Sequence, residues 1–290
     1  MSRIALEPFS NPGVVGKQIL RTTKIFPNTL EYFVFQLGGT VAPTKAQIAQ
    51  IVVKLGSSSK PIWDITGAQL NTLNLYEGRP NTATVLILPF SNFRSRTVEA
   101  QMIGALDTSH VGVRELSVEV TLTGGTAPTI TAWAEVAPPK LFGNGPDGKP
   151  APENFLFRAL LRTPIQVPSA AQFFPVNPAT SAAGGALLRR LHMFDATVTD
   201  FDFKRDGVPY FETMPLAVNN AVLDELGHDP QAGVYTFDAI DDDNESKALA
   251  QVRADQGGLS LIPVQYNVKA SAPIASMDVI ADLFANINGL

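Results

Sequence analysis

The sequence predicts an all-β chain built as two tandem units, with short helices confined to the connections and the C-terminus. Three observations carry this. Short runs of β-branched and aromatic residues recur along the chain, each closed by a Gly, Pro or Ser turn. A faint internal repeat sets the second half against the first at an offset of 148 residues. Between the two copies lies a stretch, 138–178, that holds 9 of the 22 prolines.

Residues 1–16 contain Pro8, Pro12, Gly13 and Gly16 with no periodicity. They read as an extended N-terminal arm of the kind that orders against neighbours. The first unit follows at 17–140. Residues 30–37 form a strand ending at Gly38-Gly39, residues 48–55 a second stopping at Gly56, and residues 82–88 a third ending at Pro89. The cleanest alternation runs through Leu116, Val118, Val120 and Leu122, with Ser117, Glu119 and Thr121 between them. That period of two puts one face in a core and the other in water. Val111 and Val113 continue it one residue out of phase, as a β-bulge would. Residues 129–136 form a further strand after Gly124-Gly125.

Residues 141–186 read as an inter-domain connection, because each proline lacks a donor N–H and fixes φ, which disfavours a central strand. Residues 153–162 read as a short helix within it. Strands resume in the second unit, 187–275, at 191–203, 234–240 and 259–268. The last segment, 276–290, reads as an amphipathic helix. Asp278, Asp282 and Asn286 recur every four residues, Val279, Ile280, Leu283, Phe284 and Ile287 fill the other faces, and Ser276 supplies an N-cap.

In the repeat, Pro61-Ile62-Trp63-Asp64 lines up with Pro209-Tyr210-Phe211-Glu212, and further on Asn71 meets Asn219 and Leu75 meets Leu223. Trp63 and Phe211 are expected to anchor cores, and Asp64 and Glu212 to face turns. The strand count favours two tandem eight-stranded jelly rolls over smaller immunoglobulin-like sandwiches.

The run Thr29-Leu30-Glu31-Tyr32, Gly38-Gly39, the segment from Ala46 to Leu55, Trp63, Leu70 and Leu73-Asn74 resembles the N-terminal domain of double jelly-roll major capsid proteins. The likeness is to the corticovirus-like coat protein of tailless icosahedral phages. Asp206-Gly207-Val208-Pro209-Tyr210-Phe211, continuing to Asn220 and Leu223, resembles that family's second domain. The resemblance covers most of 17–270 and rests on strand order and turn placement. It implies a structural protein and not an enzyme. In such families two upright jelly rolls per chain pack into a homotrimer, and the trimer forms a pseudo-hexagonal tile of an icosahedral shell. The implied partners are further copies of the chain, other capsid proteins such as a vertex protein, and an internal membrane. The implied location is the virion capsid, after synthesis in the host bacterial cytoplasm.

Composition agrees with a shell subunit. The 290 residues are 45% apolar, so the chain folds, but only 17% are charged against about 25% in an average globular protein. A surface short of charge suits coverage by neighbouring subunits. The net charge of −5 offers no basic stripe for sequence-specific nucleic acid. Residues 1–140 carry 12 Lys+Arg against 9 Asp+Glu, while 141–290 carry 10 against 18, so the halves differ in sign. The absence of cysteine excludes disulfides, thiolate catalysis and Cys-based metal sites. No apolar run is long enough for a signal peptide or a membrane span, and synthesis in a cytoplasm is the expectation.

The remaining motifs are weak. Gly143-Asn144-Gly145-Pro146-Asp147-Gly148-Lys149 imitates a phosphate-binding loop, but Pro146 deletes a needed N–H and Pro150 stands where a hydroxyl would hold Mg²⁺. No nucleotide cofactor is expected. Asp241, Asp242, Asp243 and Glu245 form the densest acid cluster and are the candidate ligands for Ca²⁺, set against a plain solvated loop. It is no EF-hand, since Ser246 replaces the turn glycine and Val252 the bidentate acid. His110, His192 and His228 lack zinc-site spacing, and no G-x-S-x-G elbow is present, so no catalytic residue is named and no cofactor is required. The alternative reading is a tandem β-sandwich module binding carbohydrate or a receptor. It would place aromatics on loop tips, whereas most of the 17 Phe, 5 Tyr and 2 Trp fall inside strand runs.

Overall fold

The computed structural model describes residues 2–56, 60–95, 97–109, 113–140, 155–179, 186–255 and 258–287. The chain divides into two compact units between Leu160 and Leu161. In the first, the strands are β1 (Ser2–Ala5), β2 (Lys17–Thr22), β3 (Thr29–Gly38), β4 (Ile48–Leu55) and β5 (Pro61–Ile65). Helix α1 (Gly67–Tyr76) leads to β6 (Val85–Pro89), then α2 (Val98–Met102), β7 (Leu106–Asp107), β8 (Leu116–Leu122) and β9 (Thr129–Ala137). One sheet has the order β1-β9-β3-β6, with β7 added to β3, and the other β5-β4-β8-β2. Setting β7 aside, the eight strands run 1-8-3-6 and 5-4-7-2. That is a jelly roll.

Its core follows from period-two burial. β4 and β8 bury alternate residues, so Ile51, Val53, Val118 and Val120 face Phe33, Phe35, Leu37, Leu86 and Leu88 of the opposite sheet. Helix α1 starts at Thr66, whose hydroxyl accepts from Gln69 N–H at 3.1 Å while the Gln69 side chain accepts from Thr66 N–H at 3.0 Å. Gly67 is needed at the first turn, because a Cβ there would lie 2.5 Å from the Lys45 carbonyl oxygen.

The second unit repeats this order. Strand β10 (Leu156–Val167) begins in the first unit, where Leu160 pairs in parallel with Trp63 of β5, and ends in the second. After it come β11 (Phe173–Val176), β12 (Ala186–Phe194), β13 (Val198–Arg205), β14 (Val208–Pro215), α3 (Leu216–Glu225) and β15 (Val234–Asp238). The chain closes with β16 (Leu249–Ala250), β17 (Val252–Asp255), β18 (Gly258–Leu261), β19 (Val264–Ala270) and β20 (Ile274–Asn286). The sheets are β10-β20-β12-β15 and β11-β19-β13-β14, with β16 on β12 and β17-β18 as a separate ribbon. Without β16–β18 the order is again 1-8-3-6 and 2-7-4-5, so the duplication extends to every strand.

The duplication has a one-residue step in it. Lys54 pairs with Pro61 and Val53 with Trp63, as Lys204 pairs with Pro209 and Phe203 with Phe211, an offset of 148 along β5 and β14. Beyond Phe211 the register shifts, and Thr213 takes a left-handed φ of 48°. From there the offset is 149. Both helices end in the same cap, with Gly78 and Gly227 at positive φ. Arg79 N–H donates to Asn74 O at 2.8 Å, and His228 N–H to Leu223 O at 3.0 Å. The expected match of Asn71 with Asn219 therefore fails, since Asn71 accepts from Lys45. Asn74 is the residue that does in α1 what Asn219 does in α3. Their side-chain amides donate at 2.8 Å to the equivalent carbonyls of Ile87 and Thr236.

Several expected segments are corrected. Where a helix is expected over 276–290, the chain forms strand β20 as far as Asn286, the eighth strand of the second jelly roll, and 288–290 lie outside the described residues. A spacing of four is one helical turn but also two strand repeats, and a run such as Val279–Ala285, apolar except for Asp282, suits a strand buried on both faces. The 141–186 connection supplies β10 and β11, and strand replaces the expected helix from Leu156 to Arg162. The prolines are tolerated because Pro164 is exposed on a strand at the edge of its unit's sheet, as is Pro175 on the edge strand β11. The 1–16 arm contributes β1, which pairs along β9 from Ser2↔Val136 to Ala5↔Trp133. The segment 191–203 is two strands, parted by a turn in which the Asp195 carboxylate accepts from Thr197 N–H at 2.8 Å. The clean alternation begins at Leu116. Val113 is buried ahead of the strand, and Val111 lies outside the described residues, as does the 143–149 loop.

Candidate functional site

The densest polar constellation lies in the second unit, where the acidic segment 241–245 meets β12. Leu188 and Arg190 flank a register shift in the β12–β20 pairing. At that bulge two consecutive arginines, Arg189 and Arg190, are both buried to 1% exposure. A regular strand would send one of them to each face. Arg189 grips two carboxylates, with Nε and Nη2 donating to Glu245 at 3.0 and 2.8 Å and Nη1 to the Asp282 oxygens at 2.9 and 2.7 Å. Its guanidinium also lies 4.8 Å from the Phe284 ring centroid. Arg190 donates from Nε to Asp238 at 2.6 Å and from Nη2 to Asp243 at 3.2 Å.

Burial by itself would lower the proton affinity of Arg189. Asp282 and Glu245 outweigh it, and the guanidinium is held above its ordinary range. Lys247 lies 3.4 Å from Asp241 and 3.0 Å from Asp242. Partial burial raises the Asp242 carboxyl, but the hydrogen bond and charge of Lys247, together with the backbone N–H bonds it accepts, outweigh that and leave it below the usual carboxylate value. The four candidate calcium ligands are thus divided among three cationic side chains. Among the described residues no three His, Asp or Glu side chains are grouped to hold one metal ion. The segment works as a clasp, turning through a short 3-10 helix (Glu245–Lys247) and pinned to β12 by guanidinium bonds. Buried pairs of this kind set register more than they add net stability, because desolvation offsets most of their attraction.

The first unit has a smaller counterpart at the end of α1. Arg158 of β10 donates to Glu77 at 2.6 Å and to Pro89 O at 3.3 Å, while Arg79 Nε donates to the second Glu77 oxygen at 3.2 Å. Trp63 is fully buried, donates from Nε1 to Arg158 O at 2.9 Å and packs on Phe90 at 4.8 Å. It anchors the core as expected. Phe211 is only half-buried, edge-on to Phe237 at 4.9 Å. Asp64 does not face a turn: it lies within β5 and accepts from Gln50 at 2.9 Å. Glu212 is exposed on β14. His192 shares a 3.0 Å hydrogen bond with Thr236, His228 one of 2.9 Å with Asp241 O, and His110 lies outside the described residues.

The sequence reading missed the arginines. Their signal was present in Leu187-Leu188-Arg189-Arg190-Leu191-His192-Met193, where two charges interrupt an apolar strand and so demand buried partners. It also missed Lys140, buried in the first unit with Nζ donating to Ile103 O at 2.7 Å and Leu156 O at 2.8 Å. On the outer face of α3, Ala217, Val218, Ala221, Val222 and Leu226 line a shallow apolar depression with Glu225. No helix of the described residues is long and apolar enough to cross a membrane.

Comparison with known proteins agrees with this architecture. The family model for the N-terminal domain of viral coat protein P2 matches residues 3–137, and that for its C-terminal domain matches residues 157–286. Among solved structures, the major capsid protein P2 of bacteriophage PM2 aligns with a TM-score of 0.79 at 17% identity, covering 100% of this chain and 99% of that one. The STIV major capsid protein aligns at 0.62 and 13% identity, covering 98% and 96%. A capsid model of the virus PBCV-1 aligns at 0.54 and 11%, covering 98% and 92%. No curated protein sequence matches the chain.

Proposed function

Because the chain belongs to the viral coat protein P2 family, we propose that it acts as a homotrimer whose six jelly rolls tile an icosahedral phage shell. It is a capsid-forming protein of the virion. The observation that carries the finer reading is the strand-for-strand duplication. One chain supplies two copies of one eight-stranded order, so three chains supply six similar tiles. A ring of six near-equivalent barrels fits the hexagonal positions of a shell, and closed rings of identical chains are the common form of assembly.

The work of such a protein is burial and edge complementarity rather than bond-making. Its first partners are further copies of itself. A separate vertex protein and an internal membrane are the additional neighbours this reading implies, and synthesis in the host bacterial cytoplasm precedes assembly. Calcium is not required in this reading, since Glu245, Asp243 and Asp242 are already held by Arg189, Arg190 and Lys247. The test is the native mass of the purified full chain by light scattering. Three chains of 31.1 kDa, about 93 kDa, or larger particles are expected. A compact monomer at every concentration would sink the reading.

A further inference from the structure

We propose that Glu31 and Glu135 of the first unit share one proton and form a pH-sensitive catch that holds the N-terminal strand β1 in place. The pairing of β3 with β9 skips a residue here. Leu30 pairs with Val136 but Tyr32 with Glu135, so Glu31 is the extra residue of a β-bulge. Leu30 and Phe33 are both fully buried in the core, opposite Val136 and Ala134. The two residues between them, Glu31 and Tyr32, therefore both lie on the outer face with Glu135, where a regular strand would place one. On the other side of Glu135 stands Arg3 of β1, its pairing partner, which donates from Nε to Oε2 at 2.9 Å.

Both acids are enclosed, Glu31 at 5% exposure and Glu135 at 7%. Glu135 has its arginine. Glu31 Oε1, by contrast, is buried with no hydrogen-bond partner among the described residues, and so is Thr29 Oγ1 close by on the same strand. Burial and the charge of Glu135 hold the Glu31 carboxyl above its ordinary range, against the weaker pull of the amino terminus. The other charged groups around the bulge are engaged elsewhere. Arg3 serves Glu135 and Tyr32, Arg79 donates to Glu77 and to Ser91 O, and Lys24 reaches Ala5 O and Glu7. The Asp107 carboxylate of β7 accepts from the backbone N–H groups of Ser109 and Lys140.

Two enclosed carboxylates beside one arginine leave one negative charge unanswered, and a proton cancels it. It also gives Glu31 an O–H to donate. A metal ion fits less well, since among the described residues no third His, Asp or Glu joins the pair. The proton ties pH to β1, because Glu135 lies between Tyr32 on one side and Arg3 on the other. Detaching β1 opens Glu135 to water, whereas keeping it attached above the Glu31 titration encloses a second anion. The hold is therefore fullest at and below the ordinary carboxylate range, weakens as pH rises through the raised Glu31 value, and is flat beyond it. Little else secures β1, whose four residues are none of them fully buried and pair with β9 alone. Its release bares the β9 edge, a row of backbone groups able to accept another strand.

Hydrogen exchange of the full chain, read by peptide mass and corrected for intrinsic rates, tests this from about pH 5 to about pH 8. Peptides covering β1 should lose roughly tenfold in protection over that range in the wild type, the equivalent of one pH unit of linkage. In Glu31→Gln, whose amide imitates the protonated acid, protection should stay level and exceed that of the wild type at the upper pH. The infrared spectrum at about pH 6, above the ordinary carboxylate range, should show a protonated carboxyl that Glu31→Gln lacks. The same pH course in both proteins, or wild-type protection that rises with pH, would overturn the proposal. So would a gain in protection with calcium in the wild type alone, which would make the pair a metal site. If Glu31→Gln misfolds, the wild type decides by itself, since the absence of a protonated-carboxyl band overturns the proposal.

Discussion

Trp63 and Phe211 stand at matched places in the two jelly rolls, yet their surroundings differ. Trp63 is fully enclosed, with its indole N–H bonded to Arg158 O, so Trp63→Ala removes a large core side chain together with a buried hydrogen bond. A loss of about 3–5 kcal/mol in urea unfolding is expected, and Phe211→Ala, at a half-buried ring, should lose clearly less. Equal losses would mean that the second unit packs its aromatic cluster as tightly as the first. Lys140 makes a pH-dependent contribution. Burial pushes its ammonium down to about 7 from 10.5, with Asp107 opposing the shift. Between those values the unfolded chain holds a proton that the folded chain has released, so stability rises with pH across that window and is flat below it. The rise is at most about 1.4 kcal/mol per pH unit. Urea midpoints measured from pH 6 to 10 should show this rise in the wild type and lose it in Lys140→Met. An unchanged slope in the variant would assign the rise to other groups.

At the scale of elements, the acidic segment is explained by the strand beneath it. The segment 241–245 lies against β12 because Arg189 and Arg190 are buried there and each needs carboxylates from beyond its own strand. Arg189→Met leaves Glu245 and Asp282 enclosed without their cation, and should cost about 3–5 kcal/mol. Calcium at millimolar concentration, or a chelator, should leave the thermal midpoint of the wild type unchanged. A calcium-dependent rise of several degrees would show that the carboxylates prefer a metal to their arginines. Strand β20 makes the same point about context. Its aspartates repeat every four residues, and in a strand this sets Asp278 and Asp282 on one face, where Asp282 meets Arg189.

At the scale of the whole molecule, one chain carries the same eight-stranded order twice, and each copy has diverged where its neighbours differ. The clearest divergence is at the matched helices. α1 is enclosed by its own chain, whereas α3 keeps an apolar row in the open between acidic residues. The shortage of charge, 17% of residues, and the opposite balance of the two halves suit a protein whose surface is completed by its own copies.

The all-β class, the turns, the duplication and the aromatic anchor at Trp63 were determined by the sequence alone. Each is written in local patterns, as period-two burial, Gly and Pro punctuation, or a repeated tetrad. What only the tertiary structure decided is pairing at long range. Whether 274–286 is helix or strand depends on β12 lying alongside it, and whether Pro164 and Pro175 can sit in strands depends on those strands being edges. The partner of Arg189 lies 93 residues away at Asp282. The one-residue step at Thr213 moves the repeat from 148 to 149, which a comparison of aligned letters cannot distinguish from a mismatch. Local propensity and periodicity restrict what a segment can become. The free energy that selects among those states comes from desolvated neighbours brought together by the fold, and their identity is absent from any short window of sequence.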